Sequence, residues 1–191
     1  MKVSQNWLKS LVEINSTPEN LSEKLSIGGF EVDSLQDCSR NVNGVVLGRV
    51  LKVEKHKGSD KLFLCKVDIG KELNLQIICG ANNIKSNIYV FVAPIGVHLE
   101  AINLSIKKTE IRGVISEGMI CSLAELGLED SSSGIEIIDN EIAVNYKLGT
   151  PAAEILNLND YIFELAITAN RPDGMSVLGI CLLYTSPSPR D

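Results

Sequence analysis

Aromatic residues make up only 5% of this 191-residue chain, with one Trp, four Tyr and four Phe. So few rings cannot build an extended stacking platform. Histidine is scarcer still: His56 and His98 are the only two. The five cysteines (Cys38, Cys65, Cys79, Cys121 and Cys181) are odd in number, form no C-x-x-C pair and have no histidine at ligand spacing. That spacing offers neither a zinc site nor a disulfide framework, so the thiols are read as reduced and buried. No apolar run approaches the ~18 residues that a membrane span requires. The opening Met1-Lys2-Val3-Ser4-Gln5-Asn6-Trp7 lacks the apolar core of a signal peptide, and a cytoplasmic location is expected. No phosphate-cradling Gly-rich loop, nucleophile elbow or metal-ligand cluster occurs, so this segment by itself is expected to catalyse nothing and to bind no cofactor.

What the chain does have is a substantial apolar content, 45%, enough to build a real core. Its net charge of −6 hides an asymmetry. Between Arg49 and Arg112 there are 11 Lys and Arg against 6 Asp and Glu, leaving 7 against 18 elsewhere. A basic middle in an acidic chain suits a face that meets phosphate, although charge alone does not separate this from a solvated lysine-rich surface.

The first 38 residues read as helix, helix, strand. Ser4 can cap a helix through Leu11, with Trp7, Leu8, Leu11 and Val12 as its apolar face. Thr17-Pro18 caps a second helix, Leu21, Leu25 and Ile27 form its inward stripe, and Gly28-Gly29 ends it. Period-two alternation then begins at Phe30. From Val45 the pattern is β: residues 45–53 with a bend or bulge at Gly48, then Phe63, Cys65, Val67 and Ile69 alternating, a Gly70-Lys71 turn, and Leu73, Leu75, Ile77 and Cys79. Further strands are expected at 89–95 and 104–115, a terminal helix at 119–128, a loop at Ser131-Ser132-Ser133-Gly134 and a short strand at 135–138. Such short antiparallel strands fit a small barrel, which removes exposed edges by closing on itself. Beyond Pro151 come a helical turn at 152–156 and a strong strand at 161–167. Asp173 is then read as the cap of a last helix. The strand at 161–167 is expected to pair with the one near Phe30, so that both ends of the chain form one domain around the barrel. Thr185-Ser186-Pro187-Ser188-Pro189-Arg190-Asp191, with two prolines and no periodicity, does not fit that domain.

Candidate phosphate contacts cluster in two places. Lys52, Lys55, His56, Lys57, Lys61 and Lys66 surround the first barrel turn, and Lys107, Lys108, Arg112 and Ser116 lie on a later strand pair. Lysine supplies a mobile point charge, and OB-like barrels gather such residues along one sheet face. Ser116 could add a neutral hydrogen bond. His56 is read as a hydrogen-bonded turn residue, Asp60 as a loop-capping acceptor and Glu117 as a turn or salt-bridge residue. With Phe63 and Phe91 turned to the core by alternation, recognition is expected to rest on shape and charge.

His56-Lys57-Gly58-Ser59-Asp60-Lys61-Leu62, Ile78-Cys79-Gly80-Ala81-Asn82-Asn83 and Arg112-Gly113-Val114-Ile115-Ser116-Glu117-Gly118-Met119 occur in that order. Together they resemble the OB-type tRNA-binding domain of some aminoacyl-tRNA synthetases. Met1-Lys2-Val3-Ser4 with Trp7-Leu8 ahead of them, and Thr168-Ala169-Asn170-Arg171-Pro172-Asp173 behind, narrow this. The chain, roughly over 1–180, resembles the N-terminal portion of the bacterial phenylalanyl-tRNA synthetase β-subunit family. It departs from that family at Lys57 and Ala169, where proline is usual. The resemblance implies an α+β fold: a small antiparallel OB-type β-barrel at 40–150, inserted into a discontinuous small α+β domain made of 1–39 and a truncated 151–180. Residues 181–191 are then expected to be a tail that is not native coding sequence. It further implies that the ten candidates above bind phenylalanine-accepting tRNA. The partner would be an α subunit in an α2β2 ligase that uses ATP and Mg²⁺, with neither DNA nor a membrane as partner. A stand-alone tRNA-binding module or tRNA chaperone is the alternative, and a barrel serving only as scaffold is a third.

Overall fold

The computed structural model describes residues 1–185. The chain opens with strand β1 (Lys2–Ser4), helices α1 (Gln5–Leu11) and α2 (Pro18–Ile27), and β2 (Glu31–Asp37). The long strands β3 (Val46–Lys55), β4 (Phe63–Asp68), β5 (Leu75–Cys79) and β6 (Tyr89–Pro94) follow. Next come two small hairpins, β7 (His98–Leu99) with β8 (Leu104–Ser105), and β9 (Thr109–Ile111) with β10 (Val114–Ser116). Strands β11 (Gly118–Ile120) and β12 (Ile137–Ile138) and helical turns α3 (Asn140–Ala143) and α4 (Ala152–Ile155) complete this part. The chain then enters β13 (Tyr161–Ala166) and helix α5 (Val177–Thr185). These elements form two compact units, one of Met1–Cys38 with the chain from Asn159 on, the other of Ser39–Leu158. No helix among the described residues is long and apolar enough to cross a membrane.

In the first unit β13 lies between β1 and β2, antiparallel to both, with Val3 and Leu35 in register on either side of Phe163. Phe163, Leu165, Phe30, Leu21 and Leu25 are buried together, and the helices cover this apolar face. The caps at Ser4 and Thr17 form as the sequence predicts, accepting from the N–H groups of Trp7 and Asn20. Asp160 joins the two chain segments: its carboxylate accepts from the N–H of Asn6 (3.0 Å) and of Tyr161 (2.8 Å) and from the Ser4 hydroxyl. Arg171 does similar work at the other end. Its guanidinium lies 4.3 Å from the Phe30 ring centroid, donates to the Gly28 carbonyl (3.0 Å) and pairs with Asp173 (2.8 Å).

Several apolar assignments fail for one reason: a short helix on a three-stranded sheet buries only one narrow stripe. Trp7 and Leu11 are exposed while Gln5 and Leu8 are buried, and Ile27, the last residue of α2, is exposed. In the turn after Gly70, Leu73 is also exposed. The last helix is capped by Ser176, whose hydroxyl accepts from the Gly179 N–H (3.1 Å), because Asp173 is engaged by Arg171. That helix runs through Thr185; residues 186–191 of the presumed tail lie outside the described residues.

The second unit is a nearly closed antiparallel barrel with strand order β11-β6-β3-β4-β5, β12 adding to β6. Cys65, Val67, Ile77 and Cys79 point inward by the alternation read from sequence. The register break in β3 falls between Val50 and Lys52, not at Gly48. Gly48 is instead a site of close packing, where a Cβ would come within 2.7 Å of Val92 Cγ2. The expected helix at 119–128 is absent: Met119 pairs with Ala93 in β11, and 122–128 is a compact turn. There the Glu125 carboxylate accepts from the Ser122 N–H (2.7 Å) and hydroxyl (2.9 Å), and Gly127 takes φ +66°. Sheet pairing outweighs the helical spacing of those residues.

Two outcomes test the Arg171 corner. A Cβ on Gly174 would lie 2.2 Å from Phe30 Cε1, in a fully buried ring, so Gly174→Ala is expected to cost about 1–3 kcal/mol and to lower the melting temperature by several degrees. Asp173 is held below the ordinary carboxylate range, first by its hydrogen bond from Arg171. A folded-state value below the unfolded one means that this stabilisation is complete above the ordinary range and is lost as pH falls through the folded value. A carboxyl NMR titration of Asp173 should show the depressed midpoint, and Arg171→Ala should return it to the ordinary range.

Candidate nucleic-acid interface

The seam of the barrel organises the interface. Strands β5 and β11 stand at opposite ends of the strand order and are joined through the end of β10 and Glu117, which links it to β11. The Ile78 N–H donates to Ser116 Oγ (3.1 Å), whose own proton goes to the Gly118 carbonyl (3.1 Å). The Glu117 N–H donates to the Gln76 carbonyl (2.7 Å), and Gln76 Nε2 to that of Ile115 (2.7 Å). Ser116 is therefore buried and both its hydrogen-bonding roles are filled; its hydroxyl closes the barrel and does not face outward.

The loop at 56–62 joins β3 to β4. His56 is buried, and its Nδ1 accepts from the Gly58 N–H at 2.9 Å. Its backbone N–H donates to the Leu62 carbonyl (2.9 Å), closing the loop base, and Ser59 donates back to the His56 carbonyl (3.2 Å). His56 is thus the hydrogen-bonded turn residue expected. The loop's capping oxygen is Ser59 Oγ, which accepts from the Lys61 N–H (3.4 Å); Asp60 is exposed. With the loop folded over the imidazole, Lys57 and Lys61 project outward and are exposed.

The hairpin β9–β10 turns at Arg112 and Gly113, with φ of +50° and +82°. Two positive φ values belong to the tight hairpin turn that matches strand twist, where Asn or Gly is usual. An arginine there carries a strain of about 1 kcal/mol. Its Nη1 donates to the Gly58 carbonyl, 54 residues away in sequence, and so ties the hairpin tip to the 56–62 loop.

The remaining candidates divide clearly. Lys52 and Lys66 are directly paired across β3 and β4 and both exposed. Lys52 also pairs with Glu54, and that hydrogen bond holds the Glu54 carboxyl below its ordinary value. Lys108 pairs with Glu117 at 3.4 Å, the salt bridge expected of Glu117. Lys55, Lys57, Lys61, Lys66, Lys107 and Arg112 have no acidic partner within ion-pair distance among the described residues.

One part of the site is not visible in the sequence reading. A groove of about 620 Å³ has Ser105, Lys107, Ser122, Ser132 and Ser133 among its lining residues. A Cβ on Gly80, which also lines the groove, would lie 3.6 Å from Leu62 Cδ2 at the loop's end. The run Ser131-Ser132-Ser133 signals a loop, and only the fold turns it into a wall. Burial pushes the Cys65 and Cys121 thiols up to about 12, so both stay protonated and unreactive at neutral pH. No three His, Cys, Asp or Glu side chains converge on a point among the described residues. What the surface offers is positive charge, hydroxyls and shape.

A nearly closed barrel of this strand order, with basic loops at one edge, defines an OB-like nucleic-acid-binding module. The chain belongs to the family described as "Putative tRNA binding domain", whose model matches residues 45–146. It is similar to the phenylalanine–tRNA ligase β subunit of Prochlorococcus marinus strain MIT 9312, with 72% identity over 180 residues. It is also similar to that of Synechococcus sp. strain CC9605, with 53% identity. Each match covers 94% of this chain but 22% of the relative, so the chain spans about a fifth of the length of these relatives. Among solved structures, the C-terminal domain of Plasmodium vivax p43 is similar over 60% of this chain and 61% of that one, at 23% identity and a TM-score of 0.41.

Ser116→Ala is expected to leave the Ile78 N–H and the Gly118 carbonyl unpaired inside the seam and to cost about 1–3 kcal/mol in chemical denaturation. Glu117→Ala removes only a partly exposed ion pair and should change stability by less than about 1 kcal/mol.

Proposed function

We propose that this chain is the N-terminal region of a phenylalanine–tRNA ligase β subunit, and that its barrel supplies auxiliary tRNA binding and scaffold. The observation that carries the reading is the 72% identity over 180 residues with a subunit of that name. The tRNA-binding family match over residues 45–146 supports it. In this reading the complete ligase joins phenylalanine to its tRNA at the expense of ATP, with Mg²⁺, as an α2β2 assembly in the cytoplasm. ATP and Mg²⁺ belong, in this reading, to the rest of that assembly. Residues 40–150 act as an inserted tRNA-binding domain, and 1–39 with 151–180 as the small domain that carries it.

Recognition is electrostatic. Lys55, Lys57, Lys61, Lys66, Lys107 and Arg112 take backbone phosphates, and Lys52 and Lys108 join them by exchanging an intramolecular carboxylate for phosphate. His56 and Ser116 hold the loop and the seam from behind. With so few exposed rings the surface reads a folded shape and not successive bases.

Titrating tRNA against the chain from about 50 to 200 mM salt should give a log–log slope of about −0.7 to −0.9 for each phosphate neutralised. Changing Lys55, Lys57 and Lys61 together to Glu should weaken binding by at least tenfold and leave the thermal melt nearly unchanged, because all three side chains are exposed. Binding that is absent at low salt, or flat with salt, sinks the tRNA role.

A further inference from the structure

Arg112 combines three properties that a solvated lysine-rich surface does not need. It occupies a left-handed backbone position at φ +50°, which glycine would fill without strain. Its guanidinium is committed by one nitrogen only, Nη1, to the carbonyl of Gly58. The Nε–Nη2 edge, the fork that matches two oxygens of a phosphate, bonds to no protein group among the described residues. Gly58 is held on its other side as well, its N–H by His56 Nδ1 at 2.9 Å, and a Cβ there would lie 3.4 Å from the imidazole and 3.7 Å from Arg112 Cβ. The Gly58 residue is thus pinned between His56 and Arg112, with Lys57 immediately before it and Lys61 three residues on.

Building on the tRNA-binding reading above, we infer that Arg112 is a two-sided clamp. Through Nη1 it fixes the 56–62 loop, and through Nε and Nη2 it grips one RNA backbone phosphate, with Lys57 and Lys61 placed for neighbouring phosphates. Left-handed strain at the hairpin tip is retained because only a side chain at that position reaches both groups; backbone strain of this kind concentrates at ligand clamps. Lysine cannot replace it, since a single ammonium cannot hold the carbonyl and fork a phosphate together. His56 is a positioning residue in this arrangement, acting on the phosphate only through Gly58 and Arg112.

The test uses the 191-residue chain, a transcript of phenylalanine-accepting tRNA, and hydrogen exchange at the Gly58 and Ser59 amides. Arg112→Gly should melt no lower than the wild type, because glycine relieves the turn. It should nevertheless bind tRNA about tenfold or more weakly, lose about 0.7–0.9 from the salt slope, and exchange faster at Gly58 and Ser59. Arg112→Lys should keep most of the slope, since the charge remains, yet bind severalfold more weakly and exchange as fast as the glycine variant. Wild-type affinity in Arg112→Gly would overturn the phosphate contact. Unchanged exchange in both variants would overturn the clamp. A wild-type chain that binds no tRNA fails the proposed function itself, taking the phosphate half of this inference with it, while the exchange data still decide the clamp.

Discussion

A single buried hydroxyl, that of Ser116, holds the seam on which the barrel depends. Strands β5 and β11 are not neighbours in the strand order, so the edge of β5 would otherwise present unpaired N–H and carbonyl groups. Ser116 satisfies one N–H of that edge and passes its own proton to Gly118, while alongside the Gln76 carbonyl accepts from the Glu117 N–H and the Gln76 side chain donates to the Ile115 carbonyl. The hairpin and the loop of this surface are hung from the seam. The β9–β10 hairpin is anchored to β5 there, Arg112 stands at the hairpin's tip, and the 56–62 loop is tied to Arg112. Affinity and stability are therefore separable on this face. The cations sit on the outside, and apart from Arg112 the side chains that set their positions, those of His56 and Ser116, are buried.

Much of the fold was legible because alternation reports burial directly. Cys65 with Val67, Ile77 with Cys79, and Phe163 with Leu165 face inward as their spacing requires. Caps were equally legible at Ser4 and Thr17, where a local side chain meets a local N–H. The failures share a cause. At 114–116 the expected polarity is inverted: Ile115 is 41% exposed and Ser116 is 5% exposed, because the buried place needs a hydroxyl more than a methyl. The segment from Met119 carries helical spacing but faces an unsatisfied β6, and the sheet claims it. Within the candidate site the lysines of the loop could be read from sequence as a cluster. The bond from Arg112 to Gly58 could not, since it joins positions 54 residues apart that no periodicity connects.

Charge placement gives the surface its readiness. Among the described residues most of the basic side chains between Arg49 and Arg112 lack an acidic partner, and the ion pairs Lys52 with Glu54, Lys108 with Glu117 and Arg40 with Glu100 are at least partly exposed to water. Exposed pairs of this kind contribute little to folding, so they can open toward another anion at small cost. The unpaired cations repel one another until a polyanion arrives, and that repulsion is relieved on binding.

The central position of β13 has a consequence for how the chain comes into being. Its neighbours β1 and β2 are made first, yet they have no partner until residue 166 has been synthesised. The barrel segment lies in sequence between β2 and β13 and can fold in the interval. When it does, the Ala152 N–H donates to the Val45 carbonyl (2.8 Å) and the Leu47 N–H to that of Thr150 (2.9 Å), which fastens the barrel's entry and exit side by side. The loop that β13 must close then shrinks roughly sevenfold, and its closure cost falls by about 1.7 kcal/mol. Whether the barrel has already closed therefore sets how long a loop β13 must close to reach β1 and β2.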